Sequence, residues 1–168
     1  MTKKWVIVQN VISSMLQAWS LYFLYALTIQ IVGRLQQAKQ IGVIKMGSTV
    51  SDVGSLFRLY HINYLMGMLA FYGGFTLLYN KKSGWMASVV SCLLFMGFMF
   101  VSGRNGVVGQ AATKATYSVS YLIAGALFAA LFILLILKPF RQKYKPTFAN
   151  WLIMGGIVLL VIIDKQIF

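Results

Sequence analysis

The chain has 168 residues, of which 60% are hydrophobic and 10% are charged, and its mean hydropathy is +0.78. Soluble domains average about 45–50% apolar and about 25% charged residues, so a water-soluble fold of this size could not bury so much apolar surface. Its fifteen Lys and Arg outnumber two acidic residues and lie in small clusters between apolar runs, which indicates membrane spans beside anionic headgroups and disfavours nucleic acid.

Five apolar segments approach the length of about 20 residues that a helix needs to cross roughly 30 Å of hydrocarbon. They predict an all-α fold, a polytopic transmembrane helical bundle of four or five spans that forms one integral membrane domain over residues 1–168. The expected location is a bacterial inner or plasma membrane. The predicted spans lie at about 5–33, 60–79, 85–102, 118–137 and 148–163.

The first span is too long for a simple crossing, because residues 5–33 would measure about 43 Å as one helix. Its first half carries a candidate polar helix face, which consists of Gln9, Asn10, Ser13, Ser14 and Gln17. Two interpretations fit: a helix that lies in the interface before it turns inward, or one long tilted helix whose polar face points into the bundle. Because uncharged polar groups in a membrane need partners on other helices, this face predicts a helix contact within or between subunits. The alternative is the lining of a watery path.

The second span begins with its most polar part. Ser51 or Asp52 is suited to cap the helix, and Arg58 and His61 are three residues apart and share one face. One hypothesis is an anion or headgroup site, or a pH-sensitive contact. The other is that Arg58 extends to the interface while His61 bonds a neighbouring helix.

Two basic turns separate later spans. The turn around Lys81 and Lys82 precedes Trp85, and a loop bracketed by Pro139 and Pro146 precedes Trp151, so both Trp residues fit the aromatic belt of a membrane surface. With five spans, these turns share a side with the N-terminus and hold eight of the fifteen Lys and Arg, against seven on the other side. The short, dense turns favour an inside N-terminus and an outside C-terminus, although the long basic segment 34–58 opposes it.

Asp164 follows ten apolar residues near the end of the fifth span. A carboxylate within a membrane is a candidate for ion or proton movement, whereas one at the far headgroup boundary would pair with a Lys or Arg. Together with Arg58 and His61, it forms the candidate interfacial or ion site.

Few residues are suited to chemistry. The chain has one His, one Cys and two Asp, so it cannot supply a closed zinc or haem site, and neither a metal nor a cofactor is expected. A Cys92–His61 peptidase pair and an Asp52–Asp164 carboxylate pair are both unsupported by spacing. We therefore expect that the chain is not an enzyme.

The sequence favours a non-enzymatic integral membrane subunit or accessory protein that acts through helix–helix contacts in a larger membrane complex. The expected partners are a bilayer with anionic headgroups and other membrane subunits or further copies of the chain, with no nucleic acid. The second class is a homo-oligomeric channel or small transporter, which includes membrane-acting immunity or defence proteins. The third is an enzyme on a lipid substrate.

Overall fold

The structure is a computed structural model that describes residues 3–40, 49–105 and 119–167, with side chains for 3–37, 60–101 and 119–164. The described residues form helices, turns and short connections without a strand, so the prediction of an all-α bundle is confirmed. The helices are α1 (Lys3–Gln40), α2 (Thr49–Leu78), α3 (Lys82–Asn105), α4 (Val119–Ile136), α5 (Lys138–Tyr144) and α6 (Phe148–Ile167).

Within the part of the chain that the structure describes, three helices are long and apolar enough to cross a membrane: α1, α3 and α4. The short α5 and the following α6 meet at a bend of 110°, and a fourth span results if this bent pair counts as one. The described part of α2 does not meet the same measure, although a span was predicted over residues 60–79. Polar residues such as His61 and Asn63, close to the point where the described side chains of α2 begin, lower its mean hydropathy.

The first helix is continuous. It runs unbroken from Lys3 to Gln40, which corresponds to about 57 Å of helix, so within the described residues there is no turn between an interfacial half and a spanning half. Of the two interpretations of the first span, the single long helix agrees with this geometry.

The centre of the bundle is α3, which packs against α2, α4 and α6. In its most apolar stretch 61% of residues are buried, against 17% for α1 and 22% for α4. Rings from three helices meet beside it. Phe95 of α3 lies 5.0 Å from Phe23 of α1 and 5.1 Å from Phe128 of α4 between ring centroids. Most of the surface of α1 and α4 therefore faces outward, while α3 forms the core.

Close contacts between helices depend on glycine. A Cβ atom at Gly74 would lie 2.9 Å from the backbone oxygen of Ser13, so a larger residue there would push α2 away from α1. A Cβ atom at Gly84 would clash with the backbone nitrogen of Leu77, so the start of α3 can approach the end of α2 only without a side chain. Small residues allow membrane helices to approach in this way.

The end of α4 leaves a carbonyl without a helical donor. The helix ends at Ile136, because Leu137 leaves the helical conformation with a ψ of 153°, so the carbonyl of Leu135 lies in the last turn and has no donor within α4. The indole N–H of Trp85 donates to that carbonyl at 2.8 Å. Trp85 is fully buried as a result, and it differs in this from the aromatic-belt prediction. Trp151, which is half-buried, packs edge-on against it with ring centroids 5.8 Å apart.

The connection from α4 to α6 lies across one end of the bundle. Pro139 occupies the first turn of α5, and Lys145 ends that helix in a left-handed conformation with φ of 42°. Thr147 directly precedes α6, and its N–H and hydroxyl both donate to Oδ1 of Asn150, at 2.9 and 2.7 Å. This arrangement resembles a capping box and satisfies donors that a helix start leaves free.

Candidate functional site

The candidate polar face of α1 is divided between the inside and the outside of the bundle. Gln9 and Ser13 are buried, and both bond to the second half of α2. The hydroxyl of Ser13 donates to the carbonyl of Gly74. The side-chain amide of Gln9 donates to the carbonyl of Leu77 at 2.6 Å. These two residues hold α1 against α2.

Gln9 also takes part in a contact among three segments, which we call the polar junction: Gln9, Asn80 and Lys143. The ammonium group of Lys143 donates to Oε1 of Gln9 at 2.6 Å and to Oδ1 of Asn80. Gln9 Nε2 in turn donates to Oδ1 of Asn80 at 3.0 Å. The junction therefore links α1, the α2–α3 turn and α5.

The electrostatics of the polar junction are unusual, because the bonds described for Lys143 go to neutral amide oxygens rather than to a carboxylate. Desolvation by burial lowers the pKa of Lys143 from its ordinary value. Asn80 adopts a left-handed conformation with φ of 57°, which Asn tolerates better than most residues, and so turns the chain at the end of α2.

The other residues of the polar face lie elsewhere. Asn10 and Ser14 are exposed on the outside of α1. Gln17 packs close to Gly74, and its amide nitrogen is buried without a hydrogen-bond partner among the described residues. Ser20 donates to the carbonyl of Gln17 at 2.8 Å within its own helix. The periodic pattern in the sequence is thus one buried row and one exposed row.

At the opposite end of the bundle, the structure brings His61 and Asp164 together. Nε2 of His61 in α2 lies 2.8 Å from Oδ2 of Asp164 in α6, and the two side chains are 25% and 35% exposed. The sequence singled out both residues but predicted Lys or Arg as the partner of Asp164. The side chain of Arg58, the third residue of that candidate site, lies outside the described residues.

The basic segments gather at the end where α1 begins. The ammonium group of Lys82 donates to the carbonyl of Lys145 at 3.1 Å, and the rings of Trp5 and Phe140 are 5.8 Å apart. The N-terminus of α1, the α2–α3 turn and α5 therefore share this end, which we call the basic end. Phe140 and Tyr144 anchor α5 there, and burial raises the pKa of Tyr144 to about 12.

Two of the clefts between the described helices have some polar lining. One of about 540 Å³ lies between α1 and α4, where Gln30 and Tyr121 are mixed with aromatic residues such as Trp19. The other, of about 570 Å³, lies among α2, α3 and α6 and is lined mainly by apolar residues. Asn63 borders both clefts. Both suit apolar or amphipathic groups, because polar residues are few and separated.

The described residues contain no group of three or more His, Cys, Asp or Glu side chains that could hold a metal ion. Cys92 is buried in the centre of α3. No protein-family model matches this chain, and no curated protein or solved structure resembles it significantly. Function must therefore be argued from the geometry of the chain itself.

Proposed function

We propose that the chain is a multi-pass integral membrane protein that acts, without catalysing a reaction, as a subunit or accessory protein of a larger membrane complex. Its apolar exterior supports the membrane location. Leu160 is 66% exposed on α6, and Ile123 and Ile133 on α4 are 63% and 60% exposed. Contiguous apolar surface of this kind is rare on soluble monomers and normal against lipid.

Five crossings follow from the order of the helices if α1, α3 and α4 each cross the membrane. Both α1 and α3 begin at the basic end, so α2 must return across the bilayer between them. The last helix also begins at the basic end and reaches the contact between Asp164 and His61 at the other end. We therefore propose five spans, with the less apolar α2 shielded on two sides by α1 and α3.

The observation that carries the subunit proposal is the exposed row on α1. Asn10 and Ser14 are one helical turn apart and point away from the bundle, and Tyr25 continues the same side of the helix. Lipid tails offer no hydrogen bond to an amide, so polar residues on an outer face favour contact with another helix. Gln9 and Ser13 already have partners within the chain. The exposed row is thus the part of the polar face that remains for a second chain.

This proposal predicts different results for the two rows. Asn10→Leu with Ser14→Ala removes the exposed row, and we expect it to leave the thermal stability of the monomer nearly unchanged while the complex purified in mild detergent becomes smaller. Size-exclusion chromatography with light scattering, together with co-purification of partners, measures this outcome.

The matched control is Gln9→Leu with Ser13→Ala, which makes the same kinds of change on the buried row. We expect this control to lower thermal stability, because it removes hydrogen bonds between α1 and α2. A variant lacking the exposed row that keeps its wild-type complex size and partners would contradict the proposal. So would a wild-type protein that is monomeric and free of partners in every mild detergent.

A homo-oligomeric channel or small transporter is the second candidate, and the cleft of about 540 Å³ between α1 and α4 favours it. Gln30, Asn63 and Tyr121 place polar groups on an otherwise apolar wall there. For a transporter, Asn63→Leu should reduce flux into liposomes while the complex stays intact. If the chain is a subunit without a transport path, Asn63→Leu should leave the flux into liposomes unchanged.

A further inference from the structure

The outer face of α5 concentrates positive charge that the protein itself does not neutralise. Lys138, Arg141 and Lys145, which we call the groove cations, are exposed, whereas Phe140 and Tyr144 turn inward. The two acidic residues of the whole chain, Asp52 and Asp164, lie at the start of α2 and near the end of α6, both at the opposite end of the bundle. Lys138 and Arg141 are like charges three residues apart on α5 and repel one another, and Lys145 adds a third at the end of the helix, so this arrangement favours an anion.

These cations border a defined space rather than a flat surface. They line a groove of about 490 Å³ together with Gln142, Pro146 and Trp151. The lining is polar and basic apart from one proline and one indole ring. A phosphate group suits the basic side, because Arg and Lys donate strong hydrogen bonds to phosphate oxygens.

A second, apolar cleft continues from the same tryptophan. This acyl cleft, of about 310 Å³, lies among α3, α4 and α6, and Trp151 borders it as well as the groove. Its other lining residues are apolar, for example Phe132 and Met154. Gly155 also lines the cleft, and a Cβ atom added there would have no atom within 4 Å, so this position leaves space for a ligand. A basic groove joined to an apolar cleft matches the two parts of a phospholipid.

We infer that Lys138, Arg141 and Lys145 bind the headgroup phosphate of an anionic phospholipid, one acyl chain of which lies along α6 in the acyl cleft. The bend of 110° between α5 and α6 serves this geometry, because it sets the cations across the bundle end while α6 runs along the hydrocarbon. The inference rests on the membrane location proposed above and is independent of whether a protein partner exists.

The test uses the full chain purified in a nonionic detergent. It is titrated with phosphatidylglycerol, or with phosphatidylcholine of the same acyl chains, and native mass spectrometry counts the lipids that remain bound. We expect one tightly held phosphatidylglycerol per chain and weaker binding of phosphatidylcholine. Equal binding of the two lipids would overturn the inference.

Replacing all three groove cations with Gln should weaken phosphatidylglycerol binding about 100-fold, since each cation near anionic lipid contributes about fivefold. The matched control changes Lys3, Lys4 and Lys81 to Gln, which removes three cations from the same end but outside the groove, and it should retain the lipid. If both triple variants lost the same amount of phosphatidylglycerol affinity, the effect would be one of overall charge, and the groove would not be the binding site. Arg141→Gln alone, with an expected loss of about fivefold, tests the groove if the triple variant does not fold.

The acyl cleft is tested separately. Gly155→Phe fills it and should weaken both lipids, whereas Gly156→Phe, on an exposed neighbouring position that does not border the cleft, should not. Inorganic phosphate is the final arm, and we expect it not to displace the lipid at equal concentration. If inorganic phosphate displaced the bound lipid as effectively as free lipid does, the occupant would not be a phospholipid. The same would follow if Gly155→Phe bound phosphatidylglycerol with wild-type affinity. Each measurement uses the chain alone, so a missing protein partner cannot produce these failures.

Discussion

Gln9 contacts two other segments of the chain through one side-chain amide. Its nitrogen donates to Leu77 and its oxygen accepts from Lys143, so the same side chain joins the second helix and α5 to the first. Buried polar groups are stabilising when they are satisfied and costly when one partner is lost. The polar junction is therefore the place where a single substitution should act on several elements at once.

Lys143→Met tests whether the polar junction stabilises the fold. It leaves Gln9 and Asn80 without their cationic donor, and we expect the free energy of unfolding to fall by about 1–2 kcal/mol. Unfolding by sodium dodecyl sulfate in mixed micelles measures the change. Lys81→Met is the control, because Lys81 is exposed in the neighbouring turn, and it should change stability by less than about 0.5 kcal/mol. Equal effects of both variants would mean that the junction contributes no stability beyond the removal of a charge.

Among the elements, the contact between α3 and the end of α4 follows from the way a helix ends. Leu135 lies in the last turn of α4, where its carbonyl has no donor within the helix, and Trp85 supplies the N–H from the neighbouring helix. Trp85→Phe keeps a large ring but removes that donor, so we expect a loss of about 1–3 kcal/mol. Thermal unfolding in detergent would measure it. Trp151→Phe makes the same change on a half-buried ring, and a loss equal to that of Trp85→Phe would contradict the assigned bond.

Periodicity and hydropathy predicted much of these elements but not their partners. The spacing of Gln9 and Ser13 indicated a polar helix face, and the structure adds that this row contacts α2 while Asn10 and Ser14 point outward. The basic turn before Trp85 also placed this residue beside a membrane surface, yet it is buried, because its N–H bonds the carbonyl of Leu135 once α4 packs against α3.

For the whole molecule, the gathering of basic segments at one end predicts the outcome of a labelling experiment. Single cysteines placed at Lys81 and Arg141 in a Cys92→Ala background should react with an impermeant maleimide from the same side of the membrane. A cysteine at Asn80 or Lys143 is unsuitable, because both belong to the polar junction. Labelling of the two positions from opposite sides would contradict five spans.

The overall bundle could be predicted because composition and segment length constrain it strongly, whereas long-range pairs could not. His61 and Asp164 are 103 residues apart, and Gln9 and Lys143 are 134 residues apart. Their pairing depends on which helices are neighbours in the bundle and on the depth at which each helix lies, and a single sequence gives neither. The residues themselves were conspicuous only because polar side chains are rare in so apolar a chain.

The distance along the chain between Gln9 and Lys143 has a consequence for biosynthesis. Lys143 follows the first four long helices along the chain, so a chain that ends before α5 has no ammonium group to donate to the amide oxygen of Gln9. Nascent chains that stop before α5 are therefore incompletely bonded at the basic end.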